Sequence, residues 1–215
     1  MVFAATLAFA KRRPLTFAIG FGGVKTIAAD AFVQKYMEHA DAYDQKRLLV
    51  FLTFGFFQVG FVQYNVYVNL FSRLFPAGAS FTAAPIAAKL ADGQGLRNLA
   101  KQVFIDQCVY HPCCYFPVFY TCKEIIDTGT VTNRTLPDAM SKYVPNAADD
   151  LKALWSIFLP TSIVQFSVMP MHLRVPFVAT VGFFWCGILS MMRGGEAVAL
   201  PAPPVVATKA STVPS

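Results

Sequence analysis

Between Leu48 and Ser72 the chain runs 25 residues without a charged side chain. Coiled as a helix at about 1.5 Å per residue it reaches about 37 Å, enough to cross a bilayer core of about 30 Å with some tilt. Two further uncharged runs, Ala153 to Leu173 and Val175 to Met192, are separated by Arg174 and punctuated by Pro160, Pro170 and Pro176. Proline removes a backbone donor and disfavours helix in the residue before it, so these runs predict two helices joined by a tight turn near Pro170 to Pro176. Pro14 to about Gln34 and Leu99 to about Cys122 are also apolar but carry Lys25 and Asp30, and Lys101 and Asp106. The stretch from Gln107 to Thr121 has no polar face wide enough for water, so both segments are expected to enter the membrane. The pattern predicts an all-α integral membrane bundle of four to five helices with no soluble domain.

The connections expected between these segments are polar: about 39–46, 76–97 and 127–150, with glycines and prolines in the last two. Residues 1–13 form a basic amino-terminal segment ending in Lys11-Arg12-Arg13, and 14–193 the helical membrane domain. Residues 194–215, rich in Ala, Pro, Val, Ser and Thr, predict an extended tail. The basic cluster follows the apolar residues, the reverse of a secretory signal, and fits either a mitochondrial targeting segment or a basic anchor beside the first span.

Composition strengthens the membrane reading. Hydrophobic residues make up 55% of the 215 and charged ones 14%, with a mean hydropathy of +0.48, where a soluble domain carries about 25% charged residues. The net charge of +6 arises from scattered Lys and Arg, which argues against a nucleic-acid surface. In an alternating five-span arrangement those cations divide eight against nine, so the positive-inside rule assigns no orientation. Cys108, Cys113, Cys114, Cys122 and Cys186 lie in apolar stretches and read as small buried hydrophobes rather than a disulfide framework.

Apparent catalytic motifs fail on spacing. Gly20 to Thr26 has the glycines and lysine of a phosphate loop, but Val24 stands where Gly must precede Lys25. Small residues such as Ala18 and Gly22, four apart, instead suit close helix packing. Cys108, His111, Cys113 and Cys114 lack metal-ligand spacing, and Asp149-Asp150 reads as a pair of helix-start charges. No catalytic residues, metal or cofactor are expected. Asp30 and Asp106 stand apart, because a carboxylate within a span is costly unless paired or facing a polar gap. Each belongs to a Lys, Asp, Gln set: Lys25, Asp30, Gln34 and Lys101, Asp106, Gln107. Two spans each bearing a carboxylate and an amide are expected to face each other, either as an interhelical cluster or as a lined pathway.

Asp30-x-x-x-Gln34, Asp44-x-x-Arg47, Gly55 and Gly60, Asp106-Gln107 with Pro112, and then Trp155, Pro160, Phe166, Pro170, Arg174, Trp185 and Leu189-Ser190 occur in an order and spacing that resembles the 22-kDa peroxisomal membrane protein family. This family, also called the Mpv family, includes mitochondrial inner-membrane members of the Sym type. The resemblance covers about 14–193. Where many members show Gly-Pro-x-x-His-x-Trp-Tyr, this chain retains only Gly60 and Tyr67. The family's Trp-Pro is Leu159-Pro160 here, and its Asn before Phe166 is Gln165.

The resemblance implies a small helical protein, usually of four spans, in the mitochondrial inner membrane or, as the second choice, the peroxisomal membrane. It also implies a channel or solute pathway for small metabolites. On that reading Asp30, Gln34, Asp106 and Gln107 line the pathway or join helices, while Arg47, Lys101 and Arg174 are loop or mouth charges. The alternative is a non-catalytic structural subunit of a larger membrane complex, for example a respiratory complex, docked through the tail. In either case the bilayer is the first partner.

Overall fold

The computed structural model describes residues 9, 10, 12–169 and 171–194; the side chains of 79, 171–176 and 179 lie outside the description. The basic cluster falls partly outside the described residues, and the tail expected from 194 onward lies beyond them from 195. All regular structure among the described residues is helical.

Helix α1 spans Pro14–Met37. Proline suits its first turn, where the missing N–H has no partner to lose. Its last turn, Val33–Met37, widens to π geometry. His39, with φ of 54°, turns the chain toward Asp44. The Asp44 carboxylate accepts the Arg47 N–H at 3.1 Å and caps α2, Gln45–Leu74. Helix α2 contains two π stretches, Gly55–Val62 and Asn65–Leu70. Two short helices follow, α3 (Gly78–Ala83) and α4 (Ile86–Ala91).

Helix α5 runs from 93 to 128, capped by Asp92 and ended by Gly129 at φ of 70°, a left-handed turn that glycine adopts freely. Its middle, Ile105–Tyr115, is π-helical around Pro112. Helices α6 (Thr135–Ser167) and α7 (Met171–Arg193) complete the order.

Several expected boundaries move. Residues 135–150, expected as part of a loop, form the first half of α6, where prolines at 137 and 145 are tolerated. The expected turn near Pro170 to Pro176 falls between Ser167 and Met171, and Pro176 lies inside the first turns of α7. The 76–97 connection contains α3, α4 and the start of α5. Pro137 lies in the first turn of α6, where proline interrupts little, whereas Pro145 lies inside α6 and tertiary packing carries the helix through it.

The five long helices close a ring. Helix α1 packs on α2, α2 on the second half of α5, α5 on α6, α6 on α7, and α7 back on α1. The centre is aromatic: Phe51 and Phe54 of α2 meet Tyr115, Phe116 and Phe119 of α5, with Tyr143 of α6 and Trp185 of α7. The α1–α2 seam is closest of all. A Cβ on Gly22 would lie 2.5 Å from the Gly55 carbonyl oxygen, and one on Gly60 2.4 Å from the Ile19 Cα. Thr26 Oγ1 donates to the Phe51 carbonyl at 2.6 Å across it. The small residues read from the sequence as a packing surface serve that purpose. Among the described residues, α1 and α2 are long and apolar enough to cross a membrane.

Candidate functional site

Large apolar side chains face outward around the bundle, and its interior holds a set of buried polar groups beside the aromatic core. Phe21, Phe32, Phe57, Phe61, Phe104 and Phe184 are exposed, while Asp30, Gln34, Gln58, Asp106, Gln107 and Asp150 are all buried to 1% exposure or less. Fully buried carboxylates and amides together with exposed large aromatics are the informative exceptions to what a soluble domain shows.

The first interior cluster joins α1, α2 and α7. Asp30 Oδ1 accepts from Arg47 Nε at 2.7 Å and from Ser190 Oγ at 2.5 Å, and Oδ2 accepts from Gln34 Nε2 at 2.9 Å. Arg47 also grips Glu38 through both terminal nitrogens, at 2.8 and 2.9 Å, and donates to Ser190 Oγ at 2.6 Å. Gln34 Oε1 accepts the Asp44 N–H at 2.7 Å, tying the α1–α2 turn to the same group. Arg47, expected as a loop or mouth charge, is therefore the buried counter-ion of Asp30. The planar guanidinium satisfies two carboxylates and a hydroxyl at once.

A second ion pair lies at the same end. Arg193 Nε donates to Asp150 Oδ1 at 2.7 Å and Tyr120 OH to Oδ2 at 2.8 Å. Asp150 is thus mid-helix and buried, not a helix-start charge, because α6 begins fifteen residues earlier than expected. An open cleft of about 360 Å³ lies here, lined by Lys46, Lys123 and Asp127 and floored by Phe51 and Phe119. Burial lifts the Asp127 carboxyl above the ordinary carboxylate range, while Lys123 and Lys142 draw it back.

The third cluster lies deeper, among α2, α5 and α6. Tyr67 donates to Asp106 Oδ1; Gln107 Nε2 donates to Asp106 Oδ2 at 2.7 Å and to Ser162 Oγ at 2.9 Å. His111 Nδ1 lies 2.7 Å from the Asp106 carbonyl, and Gln58 Nε2 donates to Tyr110 OH at 2.9 Å. Pro112 explains part of this geometry. In π register the Gln107 carbonyl faces residue 112, which has no N–H, and Trp155 Nε1 supplies the missing donor at 3.0 Å. Two amide oxygens, Gln58 Oε1 and Gln107 Oε1, are buried without any partner.

The expected meeting of Asp106 with Asp30 or Gln34 does not occur. Asp30 takes the cation and Asp106 takes hydroxyl and amide donors, an arrangement that avoids opposing two carboxylates. Lys101 is exposed on α5 and joins neither cluster. Arg174 lies in α7, with its side chain outside the described ones. Sequence reading missed Glu38, Gln58, Tyr67, Tyr110, His111, Ser162 and Ser190 as participants. Gln58 and Ser162 carried a signal, as polar residues in uncharged runs, and Tyr67 as a retained motif position. Ser190 lies 143 residues from its partner Arg47, a distance that no local pattern spans.

Residues 129–190 match the family model described as the Mpv17 / PMP22 family. The chain is 28% identical over 95 residues to "Protein SYM1" of Mycosarcoma maydis, covering 44% of each chain. It is 27% identical over 158 residues to "Protein sym1" of Schizosaccharomyces pombe, covering 74% of this chain and 66% of that one. To "Protein SYM1" of Kluyveromyces lactis it is 28% identical over 98 residues, covering 46% and 47%. The chain therefore spans about half to two thirds of the length of the curated relatives it matches. No solved structure matches it.

Proposed function

We propose that the chain is a member of the Mpv17 / PMP22 family of membrane proteins, to which it is similar over residues 129–190, and that the ring of α1, α2, α5, α6 and α7 crosses the bilayer and encloses a pathway for small polar solutes. The protein is an integral protein of the mitochondrial inner or peroxisomal membrane. Along α2 the inward polar residues Arg47, Gln58 and Tyr67 cover twenty positions, about 30 Å of helix, which equals a bilayer core. Each meets polar groups from other helices: Asp30 and Ser190, Tyr110, and Asp106.

The observation that carries the proposal is the pair of unpartnered oxygens, Gln58 Oε1 and Gln107 Oε1. Buried acceptors are nearly always paired, and ordered water or a polar solute within the bundle is the partner these two call for. Turning the Gln58 amide exchanges which half is unpaired and leaves the deficit in place. Gln107 is held as drawn, because its nitrogen serves the Asp106 carboxyl. The proposed role is non-enzymatic.

Reconstitution tests the proposal. Purified protein in planar bilayers is expected to conduct small ions, and Asp106→Asn to shift the cation-over-anion preference. Asp106 has no Lys or Arg partner among the described residues, so the variant is expected to lose less than about 2 kcal/mol of stability, the scale of a few altered hydrogen bonds. A wild-type protein that carries nothing in a clean bilayer contradicts the pathway. Migration in mild detergent as part of a large stable complex would favour the subunit role instead.

A further inference from the structure

On the side of the bundle away from Arg47, a second open cleft of about 490 Å³ is lined by Ser80, Asp92, Gln94, Asn98 and Gln102. Its floor includes Phe75 and Phe166. Beneath that floor lies a small apolar cluster of Phe71, Val103 and Phe166, separate from the central aromatic core. Phe71 stands edge-on to Phe75 at 5.9 Å between ring centroids and lies 6.3 Å from Phe166. Directly below comes Tyr67, with its ring 5.4 Å from Phe71 and 6.5 Å from Phe166, and its hydroxyl on Asp106.

Three helices repeat the same vertical order. On α5, Gln102 lines the cleft, Val103 belongs to the apolar layer, and Asp106 lies one turn further in. On α6, Phe166 floors the cleft and Ser162, bonded to Gln107 and Asp106, lies one turn away. On α2, Phe75, Phe71 and Tyr67 descend at four-residue steps. One turn is about 5.4 Å, so a single layer of rings separates the cleft from the Asp106 group. The opposite side differs. From Arg47 to Gln58 is eleven residues, about 16 Å, filled by Phe51, Phe54, Tyr115, Phe116 and Phe119, all nearly or fully buried.

We infer that the Phe71–Phe166 layer is the constriction at this end of the pathway, and that Phe71 and Phe166 set the size of solute that passes from the Ser80–Gln102 cleft to the Asp106 group. This rests on the pathway reading above. An apolar ring layer between two polar spaces resists wetting and admits solute when its side chains part, the behaviour of hydrophobic constrictions in channels. Thr82 Oγ1, donating to the Phe166 carbonyl at 3.0 Å, fastens α3 beside the layer.

The test is permeation of glycerol, sorbitol and raffinose into proteoliposomes holding the full chain. Phe166→Ala and Phe71→Ala are expected to raise sorbitol permeation about three- to tenfold, the factor that corresponds to losing an aromatic contact, and to admit raffinose. Phe166→Trp, compared at equal insertion and melting temperature, is expected to lower sorbitol permeation below wild type, opposite in sign to the rise in the Ala variants, which loss of folding does not produce. Lipid-facing Phe184→Ala is expected to match wild type. Wild-type permeation left unchanged by both the Ala and the Trp variants overturns the constriction and leaves the pathway standing. No permeation through any variant, with insertion intact, overturns both.

Discussion

Asp30 and Arg47 are the residues whose loss the bundle should tolerate least. Removing one member of a buried pair leaves the other charge without compensation, at a cost of about 3–5 kcal/mol. Asp30→Asn and Arg47→Leu are each expected to destabilise by that order in chemical melts in detergent. The double variant Asp30→Asn/Arg47→Leu is expected to lose clearly less than the sum, because the orphaned charge is gone. Additive losses would mean that the 2.7 Å contact is not the energetic centre of the cluster. Sequence alone marked Asp30 as a costly carboxylate within a span, with Gln34 beside it, and the structure places both in the interior. It misassigned Arg47 because that residue borders the charge-free run and so reads as its flank. A long side chain at a span end can point inward as easily as outward, and only the position of α7 and Ser190 decides which.

At the scale of elements, two features of helix geometry carry consequences. The first is the pairing of Pro112 with Trp155. Trp155→Phe removes the donor that meets the Gln107 carbonyl and is expected to cost about 1–3 kcal/mol, the range for a stranded buried acceptor. In a Pro112→Ala background the backbone N–H is restored, so the same change is expected to cost less. An equal cost in both backgrounds, read from thermal melting, would separate the tryptophan from the proline. The second is the glycine seam, where Gly22 and Gly60 face backbone atoms that cannot yield as a side chain can. Gly60→Val is expected to destabilise by at least the about 1–3 kcal/mol typical of overpacking, while Gly20→Ala, which meets open space, is expected to change little.

The seam was legible because small residues at helical spacing are a local pattern. The helical state of 135–150 was not. Its prolines and polar residues satisfy loop signals, and the packing of Ala139, Tyr143 and Leu154 into the central core outweighs them. The turn between α6 and α7 was legible in kind and misplaced by a few residues, since either of two prolines, Pro170 or Pro176, can follow a break.

For the molecule as a whole, large apolar side chains exposed around an interior that holds buried polar groups fit a place in a membrane, and this has a direct biochemical consequence. The protein is expected to remain in the pellet after alkaline carbonate washing and to leave it only with detergent, whereas release into the wash would contradict an integral placement. Composition had already indicated that outcome. It gave no indication of how the interior divides into a tightly paired group at one end and an under-paired group deeper in, because that division depends on contacts between residues 17 to 160 positions apart. The two ends imply different roles. The Asp30–Arg47–Ser190 group has every described polar atom engaged and fixes α1, α2 and α7 together. The Gln58–Asp106–Gln107 group retains acceptors that the fold does not satisfy, and the account rests on those acceptors serving solute. The most direct measurement compares Gln58→Leu/Gln107→Leu with wild type for both thermal stability and solute permeation in the same proteoliposomes. Replacing unpaired buried oxygens by apolar groups of similar shape is expected to leave melting unchanged or raise it, while permeation falls sharply. Unchanged permeation in a variant that melts like wild type would contradict the account.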